Sequence, residues 1–440
     1  MKRYRFQVLA LGALVALAVA LVAVTAGGAG TSSSASPNAA AGASGNVAVI
    51  SEASGADQAS FQAVLARFQQ RNPNIKVKYT SAGRQLSTIL STAIQGGNPP
   101  DVALLPQPGL MRDLVARKAL KPITFLRGTI AANWAAGWLQ LGTVNGKLYG
   151  LYYKGANKST IWYNVKAFKA AGVSPPKTFP QLLKVADTLK ASGTPAFSIG
   201  GADGWTLTDL FENIYLRQAG GAKYDRLANH RIKWTDPSVK AALRTMGQIL
   251  QSDNIAGGTQ GGVQTDFATS VTQAFAAEPK AAMVIEADFV AGVITGSTKA
   301  KPRTDFNVFN FPSISGSPPS VVGGGDAVVM LKDNPGARAL IRYLATAEAA
   351  EIWAKRGGYS SPNKRVRPTA YSDPITRSTA TGLARAKTFR FDLSDLQPAA
   401  FGGTVGQGLF KLFQDFLKNP SNVDGIAGKM EAAAAKAYKK

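Results

Sequence analysis

The feature that most constrains this chain is the alternation of two periodicities between residues 46 and 105. Residues 46–50 are mostly apolar, as a short buried strand requires. Phe61, Val64, Leu65 and Phe68 then recur at helical spacing, and Asn72-Pro73 ends the helix. Ile75, Val77 and Tyr79 alternate as a strand does. Leu86, Ile89, Leu90 and Ile94 mark a second helix, stopped by Gly96-Gly97, and residues 102–105 form a third strand closed by Pro106. Strand–helix–strand–helix–strand predicts an α/β unit with a parallel sheet covered by helices. Ligands of such sheets lie beyond the C-terminal strand ends. Loops 52–55 and 106–109 are therefore candidate ligand contacts, through Glu52, Ser54 and Gln107.

Further along, Leu182, Leu183, Ala186 and Leu189 predict one amphipathic helix. Leu207, Leu210, Phe211, Ile214 and Tyr215 predict another, and residues 239–250 a third. Residues 281–285 and 327–331 read as buried strands, the latter followed by a helix through Leu340, Leu344 and Ile352. A length of 440 residues suits two or three compact units.

Composition narrows the chemistry. The absence of cysteine excludes disulfides, thiolate metal sites and thiol nucleophiles. A single histidine, His230, argues against Ser–His catalysis and His-rich metal sites, and no cofactor is expected. The formal charge of +24 draws the protein toward anionic surfaces, so a cell wall or membrane surface is a candidate partner. The basic residues are scattered and not interleaved with stacking aromatics, so a nucleic-acid partner is not expected.

The N-terminus reads as an export segment. Lys2, Arg3 and Arg5 precede an uncharged stretch over 8–26 that ends in Val24-Thr25-Ala26. Cleavage as a signal peptide and retention as a membrane anchor both fit its length. Residues 27–46 are rich in Gly, Ala and Ser and read as a flexible linker. An extracytoplasmic location, periplasmic or at the cell surface, follows from either reading.

Several short segments occur in a recognisable order. Asn98-Pro99-Pro100-Asp101-Val102 follows the second helix, and Gly146-Lys147-Leu148-Tyr149-Gly150 precedes a strand. Ile161-Trp162-Tyr163-Asn164, Pro175-Pro176-Lys177-Thr178-Phe179 and a Gly-rich strand from Gly323 come later. Together they resemble the extracellular solute-binding proteins of ABC importers, in the carbohydrate-binding branch. Gly204-Trp205-Thr206-Leu207-Thr208-Asp209, Leu216-Arg217, Tyr224-Asp225 and Asn229-His230 narrow the resemblance to the α-glucoside-binding group. The resemblance implies a two-lobed periplasmic-binding-protein clamshell, each lobe a mostly parallel sheet flanked by helices. It places residues 47–155 plus 323–357 in one lobe and 156–322 plus 358–440 in the other. Crossings are implied near 152–159, 319–325 and 357–362. It also implies a monomer that closes on a small-molecule carbohydrate and offers it to ABC permease subunits, with no bond made or broken.

A sugar presents hydroxyls at its rim and C–H faces above and below, so its binder needs fixed acceptors and donors beside aromatic planes. Trp205 lies in a Gly-containing turn before a helix, and stacking on sugar competes there with pinning the helix to the core. Trp162 and Tyr163 alternate in a strand, where core packing is the stronger expectation. Glu286, Asp288 and Phe289 follow an apolar strand and are placed to accept hydroxyl hydrogen bonds; the family often has Gly-x-Trp where this chain has Asp288-Phe289. Gly323-Gly324-Gly325-Asp326 permits close backbone approach, or a hinge at positive φ. Asp326, and Tyr359 near a crossing, complete the candidates. Asp101 and His230 read as local structural groups.

Two rival functions use the same features. A secreted glycoside hydrolase would need two carboxyl groups about 5–10 Å apart across the bond, and Glu286 and Asp288 lie on one strand face. An anchored sugar sensor on the same fold is the other.

Overall fold

The computed structural model describes residues 44–384 and 388–439. The export segment at 1–26 lies outside them, and no helix of the described residues is long and apolar enough to cross a membrane. The strands are β1 (Gly45–Ser51), β2 (Ile75–Ser81), β3 (Val102–Leu105), β4 (Thr143–Val144), β5 (Lys147–Leu148), β6 (Gly150–Asn157), β7 (Thr160–Asn164), β8 (Met283–Ile285), β9 (Phe306–Asn310), β10 (Ser320–Met330) and β11 (Thr388–Phe391). They form a six-stranded sheet of order β11-β10-β3-β1-β2 with β6 also on β10, a three-stranded sheet β8-β7-β9, and the small β4-β5 hairpin.

The first unit of the large sheet follows the sequence pattern. β1 pairs in parallel with β2 and β3, and the connecting helices are Gly55–Arg71 and Leu86–Gln95. Phe61, Val64 and Phe68 of the first helix are fully buried against this sheet, each contributing about 1.5–3 kcal/mol of apolar burial. Asp101 ties the unit together: its carboxylate accepts from Ala48 N at 2.7 Å and from Asn334 Nδ2 at 3.0 Å. Asn334 in turn caps the helix Pro335–Leu344.

The sheets are less parallel than expected. β10 runs antiparallel to both β3 and β6, and β7 is antiparallel to both β8 and β9. The reason is connectivity. β6 passes into β7 without a helix between them, so β7 is inserted between two strands that are themselves joined through the crossover helix Val290–Ser297. The two-lobed α/β class stands, with mixed and antiparallel sheets inside it.

Each sheet has its own core. Ile161, Phe197, Phe211, Tyr215, Trp234 and Phe413 belong to the core of the three-stranded half, and Phe61, Tyr153, Leu340 and Trp353 to that of the six-stranded half. Tyr359, Val366, Ala370, Tyr371 and Ala380 pack into the six-stranded half. The stretch after 358 thus does not lie wholly with the other half as expected, because its aromatic side chains find their apolar partners around Trp353.

Residues 323–325 lie within β10. None of the three glycines has positive φ. A Cβ on Gly324 would stand 2.7 Å from Lys158 Cε, and one on Gly325 2.6 Å from the carbonyl oxygen of Lys154. Close approach of β10 to the neighbouring backbone and lysine is what demands glycine there.

Candidate functional site

The strand that links the two sheets carries two lysines in an otherwise apolar run. Lys154, in β6, and Lys158, between β6 and β7, are both buried, and each is held by carboxylates. The Lys154 ammonium lies 2.5 Å from Asp57, and the Lys158 ammonium 2.9 Å from Asp209 and 2.5 Å from Asp392. Burial alone would depress a lysine's pKa, but these partners outweigh it and hold both ammonium groups above their ordinary range. Burial likewise opposes the charge on Asp392, yet Lys158 brings its pKa down to about 2.

More carboxylates surround this pair. Glu212 is fixed by Tyr224 Oη at 3.0 Å and by the backbone N–H groups of Leu393 and Ser394 at 2.8 and 2.9 Å. Asp209, Glu212 and Asp392 are close enough together to hold a metal ion. The ammonium of Lys158 and the donors on Glu212 instead occupy that cluster, which is how a lysine replaces a cation. Glu286 faces Asp209, and burial followed by the charge of Asp209 raises its pKa well above normal. Asp288 accepts from Ser360 Oγ, and burial pushes its pKa up to about 6.

Aromatic rings line the same region. Gly204 precedes the helix Trp205–Ala228 with φ 79°, and a Cβ there would stand 2.5 Å from Phe410, so only glycine can make this turn. The turn sets Trp205 half-buried, 5.1 Å from Phe267 and 5.9 Å from Phe289 between ring centroids. Lys158 Nζ sits 5.7 Å from the Trp205 ring and Lys154 Nζ 5.3 Å from Phe289.

The two halves meet around these groups. Arg84, after β2, bonds Asp203 beside Trp205 at 3.3 Å. A Cβ on Gly296 would stand 3.1 Å from the Cβ of Ala56, which brings the helices Val290–Ser297 and Gly55–Arg71 together. Within the three-stranded half, a chamber of about 10 Å³ is lined by Ser198, Gly200, Thr206, Ser270 and Glu286 beside Ile199, Leu207 and Leu210, room for about one water. The contacts of Arg84 with Asp203 and of Gly296 with Ala56 hold the two halves against each other beside the buried Lys154 and Lys158.

The residues singled out from sequence separate into three groups. Glu52, Trp205, Glu286, Asp288, Phe289 and Asp326 converge on the junction of the halves. Ser54 is exposed at the start of the helix Gly55–Arg71, and Gln107 is buried with its amide donating to Gly403 O at 3.0 Å. The remaining three are packing groups. Trp162 is fully buried and donates to Ala287 O at 3.0 Å. Tyr163 packs on Phe168 at 4.4 Å beside the core of its own half. Tyr359 is sealed against Trp353 and donates to Tyr153 O at 2.7 Å. Trp162 and Tyr359 spend their polar tips on backbone carbonyls, and Tyr163 is held by ring packing, so these three act in packing. His230 pairs with Glu431 at 3.2 Å, far in sequence from the junction groups.

Lys154, Lys158, Glu212, Phe267, Asp392 and Asp395 were not among the sequence candidates. One signal for the lysines was present: a lysine inside an apolar strand requires a buried counter-charge.

Comparison with known proteins agrees with this architecture. Residues 52–351 match the family described as bacterial extracellular solute-binding protein. The α-glucosides-binding periplasmic protein AglE of Rhizobium meliloti is 34% identical over 397 residues, covering 86% of this chain and 84% of that protein. The osmoprotective compounds-binding protein GgtB of Synechocystis is 32% identical over 374 residues, covering 82% and 87%. Among solved structures, the bacterial solute receptor AcbH superposes with a TM-score of 0.79 at 17% identity, covering 90% of this chain and 99% of that one. At that identity the likeness is one of fold.

Proposed function

The chain belongs to the bacterial extracellular solute-binding protein family, and from that premise we propose that it is the sugar receptor of an ABC importer, taking an α-glucoside or a related small oligosaccharide. The observation that carries this reading is the junction of Glu52, Asp326 and Glu286 with Trp205 and Phe289. It sets fixed acceptors beside aromatic faces where two hinged halves meet, which is the combination a sugar rim and its C–H faces require. The name of AglE favours α-glucosides within that class.

The mechanism is a hinge equilibrium. A guest that touches both halves only when they are closed stabilises the closed state by its differential affinity. The closed receptor, acting as a monomer outside the cytoplasm, then presents the sugar to the permease subunits, and no bond is made or broken. A thermal-shift screen of mono- and disaccharides followed by calorimetric titration tests the reading, because a tight guest raises the melting temperature by mass action. Release of reducing sugar from a bound glucoside would replace the receptor by a hydrolase.

A further inference from the structure

Three carboxylates converge on one edge of the six-stranded sheet. Glu52 follows β1, and Asp326 precedes Ala327, which pairs with Leu105 at the end of β3. The backbone carbonyl of Asp395 accepts from Gly109 N at 2.8 Å, just past β3. Asp395 uses its own N–H on Asp392, and no described residue donates a hydrogen bond to its carboxylate. Lys154, opposite Asp326 in the β6–β10 register, is bound to Asp57.

Beside them, Tyr152, the β6 partner of Ala327, is 1% exposed, and its hydroxyl has no hydrogen-bond partner among the described residues. Asp209 Oδ2 and Glu286 Oε1, also buried, are likewise unpartnered. These groups concentrate negative charge in a chain whose formal charge is +24. Two ammonium groups are present, and their bonds go to Asp57, Asp209 and Asp392. The N-terminus of the helix Gly55–Arg71 offers Glu52 at most about half a charge.

Glu52 and Asp326 are half-buried and Asp395 is buried, so contact between the halves strips much of the water from the three carboxyl groups. Sugar hydroxyls would supply donors but no counter-charge, whereas an ammonium supplies three donors and the charge together. Burial, and then Asp326 and Asp395, hold the carboxyl of Glu52 well above its ordinary range. A cation placed among the three would relieve that repulsion.

We propose that the guest of this site is a polyhydroxylated molecule bearing a protonated amine, an amino sugar or aminated glycoside, with its ammonium held by Glu52, Asp326 and Asp395. The inference rests on the receptor reading above and refines its ligand class.

Calorimetric titration of the purified protein tests it. Trehalose and maltose are compared with their 2-amino-2-deoxy and 6-amino-6-deoxy derivatives, at low and high salt. At least one aminated sugar should bind about tenfold tighter than its neutral parent, with the gap narrowing as salt rises. In Glu52→Gln and Asp326→Asn, each verified as folded by its melting curve, the ratio of the two affinities should fall toward one. Equal or weaker binding of every aminated sugar overturns the inference and leaves the receptor reading intact, as does an unchanged ratio in both variants. Failure of every sugar, neutral or aminated, removes both. Saturable binding of calcium chloride alone would overturn the inference by assigning the carboxylates to a metal ion.

Discussion

Arg84 and Asp203 join the two halves of the molecule, Nη1 to Oδ1 at 3.3 Å, at the edge of the region that Trp205 lines. Asp203 is fixed by a second bond, accepting from Phe267 N at 2.7 Å, while the Arg84 side chain is half exposed. An exposed pair of this kind contributes about 0–1 kcal/mol and is screened by salt. Arg84→Ala should therefore loosen the closed state slightly. Sugar affinity should fall by up to about fivefold at low salt, mostly through faster release, and the difference should vanish at high salt. Stopped-flow tryptophan fluorescence reads the release rate; identical rates at low salt would rule out a latch.

Lys158 is the opposite case, a cation enclosed by its partners. Its single ammonium bonds both Asp209 and Asp392, each about 1% exposed. Lys158→Ala strands two buried carboxylates, and breaking a buried pair this way costs about 3–5 kcal/mol. Urea unfolding should show that loss. Adding Asp392→Asn to the variant should recover part of it, since one stranded charge is then removed. A single variant as stable as the parent would mean that water reaches this cluster freely.

The first α/β unit was readable because its periodicities change at each element and each helix carries its own stop signal. β8 was readable as an apolar run, but its antiparallel pairing depends on β7, more than 100 residues earlier. The site divides along the same line. Glu52 lies at a strand end, where topology directs ligands, Asp326 lies inside β10 opposite Lys154, and Trp205 follows a glycine that only a turn explains. The burial of Lys158 could be read from its apolar setting, but its partners could not, since they lie 51 and 234 residues away. Trp162 packs in the core as its strand alternation favoured, whereas Tyr359 was misplaced because a core aromatic and a stacking aromatic are the same residue type, told apart only by what covers the ring.

Trp205 is half-buried, set edge-on to Phe289 and tilted against Phe267, with Lys158 near its ring. If the open part of the ring lies against a sugar face, Trp205→Ala should weaken binding by about 1–3 kcal/mol, roughly five- to 150-fold. The fold should survive, because Gly204 and not Trp205 makes the turn. Calorimetric titration checks the affinity and circular dichroism the fold. Unchanged affinity in a folded variant would remove the ring from the site.

Asp288 makes the protein's stability depend on pH in a direction that can be worked out. It is 1% exposed, and burial raises its pKa from 3.8 to about 6. Between about pH 4 and 6 the folded chain therefore holds a proton at Asp288 that the unfolded chain has released. Stability from this group falls as pH rises through that window and stays low above it. Asp288→Asn removes the titration while its amide oxygen can still accept from Ser360 Oγ. The variant should match the parent near pH 4 and exceed it at pH 7 by up to about 3 kcal/mol. Urea unfolding from pH 4 to pH 8 checks the slope. A variant that loses stability relative to the parent as pH rises would show that the Asp288 carboxylate is stabilised in the folded state, with its charge offset by Lys154 and the backbone.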